Sequence, residues 1–227
     1  MARTAIHMSW HDLLFAHWPI DAAALRPLIP KELEVDTFKG QAWIAVVPFR
    51  MTGVRHHIFP VPLALPELNV RTYVRHGEHR GVWFFSLDAA SWLTVRGARL
   101  TFGLPYYDAH MSSLSNEDGI AYESKRTHRG APSARLKVRY RSVGEVFHAQ
   151  PNSLEEFFVE RYCLFAERRG QVIRGDIAHE PWPLQLALAQ FEENTMLDGL
   201  GISLPNRPPL LHFAKELHVT GASPVQV

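Results

Sequence analysis

The chain holds one cysteine, Cys163, in 227 residues. A lone cysteine excludes an internal disulfide and fits a reducing, cytoplasmic setting. No apolar run approaches the roughly 18 residues of a membrane span, and the opening MARTAIHMSWHDLLFAHW lacks the apolar stretch of a secretory leader. Charge of one sign is not in excess. Lys and Arg number 24 against 23 Asp and Glu, for a net charge of +1. That balance gives no electrostatic footprint for nucleic acid or an anionic membrane. No Gly/Ser/Pro-rich linker divides the chain, so one domain over residues 1–227 is expected.

Catalytic and cofactor motifs are missing too. Neither HExxH nor a Cys/His array with zinc spacing occurs, so no metal is expected. His7, His11, His17, His56, His57, His76 and His79 read as exposed or hydrogen-bonding side chains, although thirteen histidines are many. G-x-S-x-G is absent, as are G-x-G-x-x-G and the Walker A pattern, so no serine elbow and no cofactor are expected. Cys163 lies between Tyr162 and Leu164, the setting of a small buried hydrophobe rather than a nucleophile.

What the chain has is strand pattern. Ala42–Val47 is apolar on both faces, as in a central strand covered on both sides, with Pro48 ending it. Glu67–Arg75 alternates, and Val82–Ala89 pairs with it across the turn at His76–Gly81. Ser91–Val95 and Ala98–Phe102 read as a further hairpin through Arg96-Gly97. Asp118-Gly119 marks another turn, and Arg135, Lys137, Arg139 and Arg141 alternate on a strand with a solvated basic face. Gln171–His179 and Leu211–Val219 complete the clear strands. Ser9–Trp18, Glu160–Glu167 and Leu184–Phe191 fit strand or helix. Short helices are expected after Asp21, an N-cap, and after Ser153, which opens a Ser-x-x-Glu capping box. Thr52–Pro66, with three prolines, reads as a loop, Asn194–Pro209 as another, and Thr220–Val227 as a frayed tail. The fold class is mainly β (α+β), a closed antiparallel meander forming a barrel or cone, with short peripheral helices. A cone of ten or more strands is wide enough to enclose a small ligand.

The densest polar signal lies between Glu67 and Tyr107. Glu67, Asn69 and Arg71 alternate on one strand, Ser86 and Asp88 on its neighbour, and Arg99, Tyr106 and Tyr107 follow. If that face lines the interior, Glu67, Arg71, Ser86, Asp88, Arg99, Tyr106 and Tyr107 converge on a small-molecule site. The competing reading is a Glu67–Arg71 ion pair that holds the sheet. Parity alone does not say which face points inward.

The runs PELNVRTYV, GVWFFSLDAAS and GARLTFGLPYYDAHMS, with HWPIDAAALRPLIPKELEVDTFKGQAWIAVVPFRM, FFVERYCLFAERRG and IAHEPWPL, span nearly the whole chain. They resemble the uncharacterised DUF2071 (YqjF-like) family, which is similar in turn to the acetoacetate decarboxylases. The resemblance implies a β-cone around a pocket, and a homo-oligomer. In the decarboxylases a segment Arg-Glu-x-x-Gly-Phe-Pro-Lys-Lys carries the Schiff-base lysine and its neighbour. Here it is matched by Arg99-Leu100-Thr101-Phe102-Gly103-Leu104-Pro105-Tyr106-Tyr107, and a pocket glutamate falls at Glu67. Both lysines are tyrosines. A phenol forms no imine, so lysine-dependent decarboxylation is not expected. Lys125 and Lys137 sit among charges and read as surface. Two functions remain. One is binding of a small organic acid or carbonyl compound, with Arg71 or Arg99 on a carboxylate and Tyr106 or Tyr107 on a carbonyl or hydroxyl. The other is an enzyme, lyase-like or hydratase-like, acting on such a compound with Glu67 as base and Tyr106 as acid. A third arrangement has Trp83, Phe84, Phe85 and Trp92 filling the cone.

Overall fold

Strands with two apolar faces need cover on both sides, and the chain supplies it by closing two rings of strands on one wall. A computed structural model describes residues 4–56, 59–92, 95–97, 99 and 103–227. The wall is built from β1 (Thr4–Ile20), β3 (Ala42–His56), β4 (Phe59–His76), β5 (His79–Ala89) and β12 (Leu210–Ala222). Beyond β5 the sheet divides. The Leu87–Ala89 end of β5 pairs in parallel with β6 (Tyr106–Asn116), while Val82 and Trp83 pair in parallel with β9 (Cys163–Arg168). Beyond β12 it divides again. His212–Ala214 pairs with β11 (Leu184–Asn194), and Val219–Gly221 with β10 (Gln171–His179).

Two closed circuits result. One runs β5-β6-β7-β8-β11-β12-β1-β3-β4, with β7 at Gly119–Arg126 and β8 at Arg135–Phe147. The other runs β5-β9-β10-β12-β1-β3-β4. The short strands β2 (Glu34–Val35) and β13 (Val225–Gln226) pair with β4 and β10. The fold is therefore mainly β and closed, as the strand pattern predicts. Its pairings are antiparallel except for the two on β5.

Each face of the wall has its own core. Ala45, Val47, Phe49 and Met51 of β3 join Leu13, Phe15, Tyr73, Val82 and Leu217. Ala42, Ile44 and Val46 join Leu68, Val70, Ile120, Tyr122, Leu136 and Tyr140. This is why Ala42–Val47 carries no polar side chain.

Bulges let the long wall strands survive residues that usually end them. β3 continues through Pro48 rather than stopping there. Opposite Pro48, β1 carries one residue too many between His11 and Ala16, and Asp12 sits at φ 55. A proline has no N–H to give, and a bulge in the neighbour asks for fewer. Tyr140 donates to the Asp12 carbonyl at 2.7 Å, which satisfies one group the bulge frees. The expected loop Thr52–Pro66 is instead the far ends of β3 and β4, with His57 and Ile58 outside the described residues. β4 tolerates Pro60, Pro62 and Pro66 because its pairing with β5 begins only at Glu67, so its second edge lacks a partner strand there among the described residues.

The remaining differences are local. Asp21 caps α1 (Ala22–Leu25) by accepting from the Ala23 N–H, and Ser153 caps α2 (Leu154–Val159) by accepting from the Glu156 N–H. Glu156 reaches back one residue further than a capping box, to the Asn152 N–H. The hairpin expected at Ser91–Val95 is a helical turn: the Val95 N–H donates to the Ser91 carbonyl at 3.0 Å. The turn buries Val95 while Trp92 stays 64% exposed. Its expected partner, Ala98–Phe102, lies outside the described residues. Ser9–Trp18, Cys163–Arg168 and Leu184–Phe191 resolve as strand. The tail is pinned, with Val225 and Gln226 paired to Arg174 and Ile173. The basic face of β8 is solvated and partnered: Lys137 and Arg139 meet Glu192, at 2.9 and 3.2 Å.

Candidate functional site

Side chains directly opposite each other on paired strands share a face, so the register decides what meets. Glu67 lies opposite Ala89, Asn69 opposite Leu87, and Arg71 opposite Phe84. Leu68 lies opposite Asp88 and Val70 opposite Ser86. The register slips by one between Val70 and Arg71, where β5 carries an extra residue. Simple alternation therefore fails on β5. Val82 and Phe84 share a face with Leu87, whereas Ser86 and Asp88 turn the other way. On β6, Tyr106 pairs with Leu87 and Tyr107 with Asp88, so the two tyrosines also part.

On the Glu67 side the seven-stranded ring encloses a cavity of about 180 Å³. Glu67, Arg71 and Tyr106 line it. Ser86, Asp88, Arg99 and Tyr107 are not in its lining. Most of the lining is apolar, with Met8, Trp10, Met51, Phe84, Leu87 and Leu164 among it. Phe84 leaves it open; Trp83 and Phe85 pack into the other core, and Trp92 is exposed. The chain has five lysines. None of them lines the cavity, and none is among the residues outside the description.

Glu67 is 3% exposed and accepts from the Tyr106 hydroxyl at 2.8 Å. Burial raises its pKa to about 7, against the opposing effect of the Tyr106 hydrogen bond. Burial first, then the nearby Glu67, holds the Tyr106 phenol well above its ordinary range, so it is a neutral donor. Behind the pair, Tyr122 of β7 donates to the Glu67 carbonyl at 2.6 Å and fixes the backbone from the other core. Among the described residues no ion pair joins Glu67 to Arg71. The guanidinium of Arg71 sits 5.4 Å from the Phe15 ring centre and 6.0 Å from that of Tyr73, and its Nε is buried without a hydrogen-bond partner.

Four further lining residues, Arg161, Asp176, His179 and Trp182, carry polar groups that the strand pattern does not single out; a ring nitrogen of His179 meets the Glu180 carbonyl at 2.8 Å. Arg161, just past α2, is 5% exposed. It bonds Asp36 at 2.6 Å and the Phe157 carbonyl at 2.7 Å, while its Nη2 has no partner. Trp182 is 2% exposed with its indole N–H unpaired, and its ring stacks on Trp10 at 5.9 Å. Asp176 is held by Arg174 at 2.8 and 3.1 Å. The available signal was slight: Arg161 follows the helix Leu-Glu-Glu-Phe-Phe-Val and Glu160, and Trp182 stands between two prolines.

The residues turned away form a structural cluster. Arg126 bonds Asp88 through both oxygens, at 2.7 to 3.1 Å, and the Tyr107 ring lies 4.3 Å from that guanidinium. Asp88 is fully buried, and burial, more than its arginine, moves its pKa upward. Arg99 donates to the Tyr106 carbonyl at 2.7 Å, so it braces the site from behind. Cys163 is buried, and burial, then Asp176, pushes its thiol up to about 11, outside the range of a working thiolate.

Comparison with solved structures fixes the class first. The enduracididine biosynthesis enzyme MppR, complexed with the condensation product of pyruvate and imidazole 4-carboxaldehyde, superposes at a TM-score of 0.66. It is 11% identical, with 100% of this chain and 90% of that one covered. The acetoacetate decarboxylase of Legionella pneumophila superposes at 0.64 and 13% identity, over 100% of this chain and 88% of that one. The fold is thus acetoacetate decarboxylase-like. Within that class the chain belongs to the DUF2071 family of uncharacterized conserved proteins, whose profile matches residues 7–218. It is 45% identical to the uncharacterized protein YqjF of Bacillus subtilis (strain 168) over 217 residues, 94% of this chain and 89% of that protein.

Proposed function

We propose that the cavity binds a small organic acid or carbonyl compound reversibly, without forming an imine. The observation that carries this reading is Arg71. It is a guanidinium in an apolar cavity with no carboxylate partner among the described residues, and Glu67, on the same strand, is spoken for by Tyr106. A half-buried cation without a counter-ion is costly, and a ligand carboxylate lowers that cost. The solved MppR complex, which holds a pyruvate-derived compound on the same fold, supports the choice of ligand class. Calorimetric titration of small organic acids against the wild type and Arg71→Met tests it. Binding that weakens at least ten-fold in Arg71→Met supports the reading. Failure of every acid and carbonyl compound to bind, or binding indifferent to the substitution, overturns it.

A second reading rests on the Glu67 carboxyl, whose pKa of about 7 suits proton transfer near neutral pH. As carboxylate it takes a proton from the carbon next to a bound carbonyl, and Tyr106 supplies a neutral hydrogen bond. Under this reading Tyr106→Phe abolishes turnover and leaves binding within a few-fold. Retained turnover in Tyr106→Phe removes it.

A further inference from the structure

The polar groups of the cavity are unequally satisfied, and the imbalance has a direction. Asp176 is matched by Arg174, and Glu67 by Tyr106. Three donors are left over among the described residues: Arg71 Nε, Arg161 Nη2 and Trp182 Nε1, each buried and each on a cavity-lining residue. They are neighbours through shared rings. Phe15 packs against Trp182 at 5.0 Å and lies 5.4 Å from the Arg71 guanidinium; Tyr73 lies 6.0 Å from Arg71 and 5.0 Å from Arg161. Asp36 holds Arg161 at 2.6 Å and the more exposed Arg80 at 2.9 Å. Arg71 has no carboxylate partner among the described residues; the Tyr73 hydroxyl, a neutral group, accepts from it, and the N–H groups above are left over.

Glu67 and Tyr106 mark a separate polar point. Glu67 and Arg71 are four positions apart on β4, about 13 Å along an extended strand. The two side chains can lean together, yet the groups they hold are not adjacent atoms of one ligand. Apart from the polar groups named above, Asp176 and His179 among them, the lining is apolar. A cavity of about 180 Å³ is comparable with the roughly 150 Å³ that accommodates a benzene ring.

Resting on the binding reading above, we infer that Arg71, Arg161 and Trp182 form a single-carboxylate subsite, and that the ligand is a monocarboxylate with a bulky apolar body and a second oxygen set several bonds from the carboxylate. Trp182 is the specificity element, because its indole N–H, unpaired in the structure, gains an acceptor when a carboxylate oxygen is bound between it and the arginines. A dicarboxylate is excluded, since its second charge would have to leave water for the apolar lining without a cation.

The test uses four probes built on one skeleton, titrated calorimetrically into the full chain. These are 4-oxo-4-phenylbutanoate, butyrophenone (which replaces its carboxylate with methyl), succinate (which replaces its benzoyl group with a second carboxylate), and pyruvate (which lacks the body). The expected order places 4-oxo-4-phenylbutanoate at least ten-fold tighter than each of the others. Trp182→Phe, which keeps the ring and loses the N–H, weakens that probe about five-fold and leaves butyrophenone unchanged. Arg71→Met brings 4-oxo-4-phenylbutanoate down to the affinity of butyrophenone, and retained butyrophenone binding shows that the variant is folded. Pyruvate or succinate binding as tightly as 4-oxo-4-phenylbutanoate overturns the inference while the broader reading stands. So does Trp182→Phe with undiminished affinity. No binding by any probe overturns both.

Discussion

Glu67 is protonated more readily in the folded chain than in the unfolded one, and that difference makes stability depend on pH. Its folded pKa is about 7, against an ordinary 4.5. The folded state then binds the extra proton between those values, so this group's contribution to stability falls as pH rises from about 4.5 to about 7 and is level above. For a fully buried carboxyl the whole loss is about 3 kcal/mol. Urea unfolding at pH 5 and pH 8, compared between the wild type and Glu67→Gln, should show it: relative to the variant, the wild type loses stability as pH rises. Equal pH dependence in Glu67→Gln would place the titration elsewhere. Tyr106 is held neutral and adds nothing in this window, whereas His17 and His212, whose folded pKa values burial lowers, make stability rise with pH up to about 6.5 and so oppose the Glu67 signal.

At the scale of elements, two devices keep the wall in register. The first is the bulge at Asp12. Its carboxylate is 1% exposed and takes hydrogen bonds from Arg50 and Lys215, each at 2.6 Å. Burial acts to raise its pKa, but the bonds from Lys215 and Arg50 outweigh burial and leave it lowered. Asp12→Asn keeps a residue that accepts the left-handed backbone and loses the charge. It should cost about 2 kcal/mol by denaturant unfolding. The wild type's Asp12 contribution is present above its unfolded pKa and lost as pH falls below it; the variant should lack that acid sensitivity. The second device is Gly103, at φ 64, where a Cβ would lie 2.7 Å from the Glu167 carbonyl oxygen. Gly103→Ala should destabilise by about 1–3 kcal/mol, since strained φ and a backbone clash act together. An unchanged midpoint would show that the approach to β9 is slack. These devices also mark where the sequence stops being legible. Ala42–Val47 declares two buried faces, and Ser153-x-x-Glu156 declares a helix start, because each signal is local. The register that sets Asp88 and Ser86 opposite Leu68 and Val70, and the bulge beyond it that brings Phe84 to the side of Glu67 and Arg71, leave no trace in composition. Both are set by how β5 pairs with β4, so alternation alone could not say that Ser86 and Asp88 face away from Glu67.

Over the whole molecule, closure of two rings on one wall separates a packed core from a cavity. The nine-stranded ring is crossed by Tyr122 and Tyr140, whose hydroxyls reach the wall's carbonyls at Glu67 and Asp12. The seven-stranded ring keeps the cavity, with Glu67, Arg71 and Tyr106 on its wall and no lysine in its lining. The likeness to acetoacetate decarboxylases is one of architecture, at 13% identity to the Legionella enzyme, and the cavity lining here holds no lysine amine. Intact-mass spectrometry after borohydride reduction in the presence of a β-keto acid tests that separation most directly. The account predicts an unchanged protein mass after denaturation, with the ligand seen only as a non-covalent complex under native conditions. A reduced adduct on any of the five lysines would contradict it.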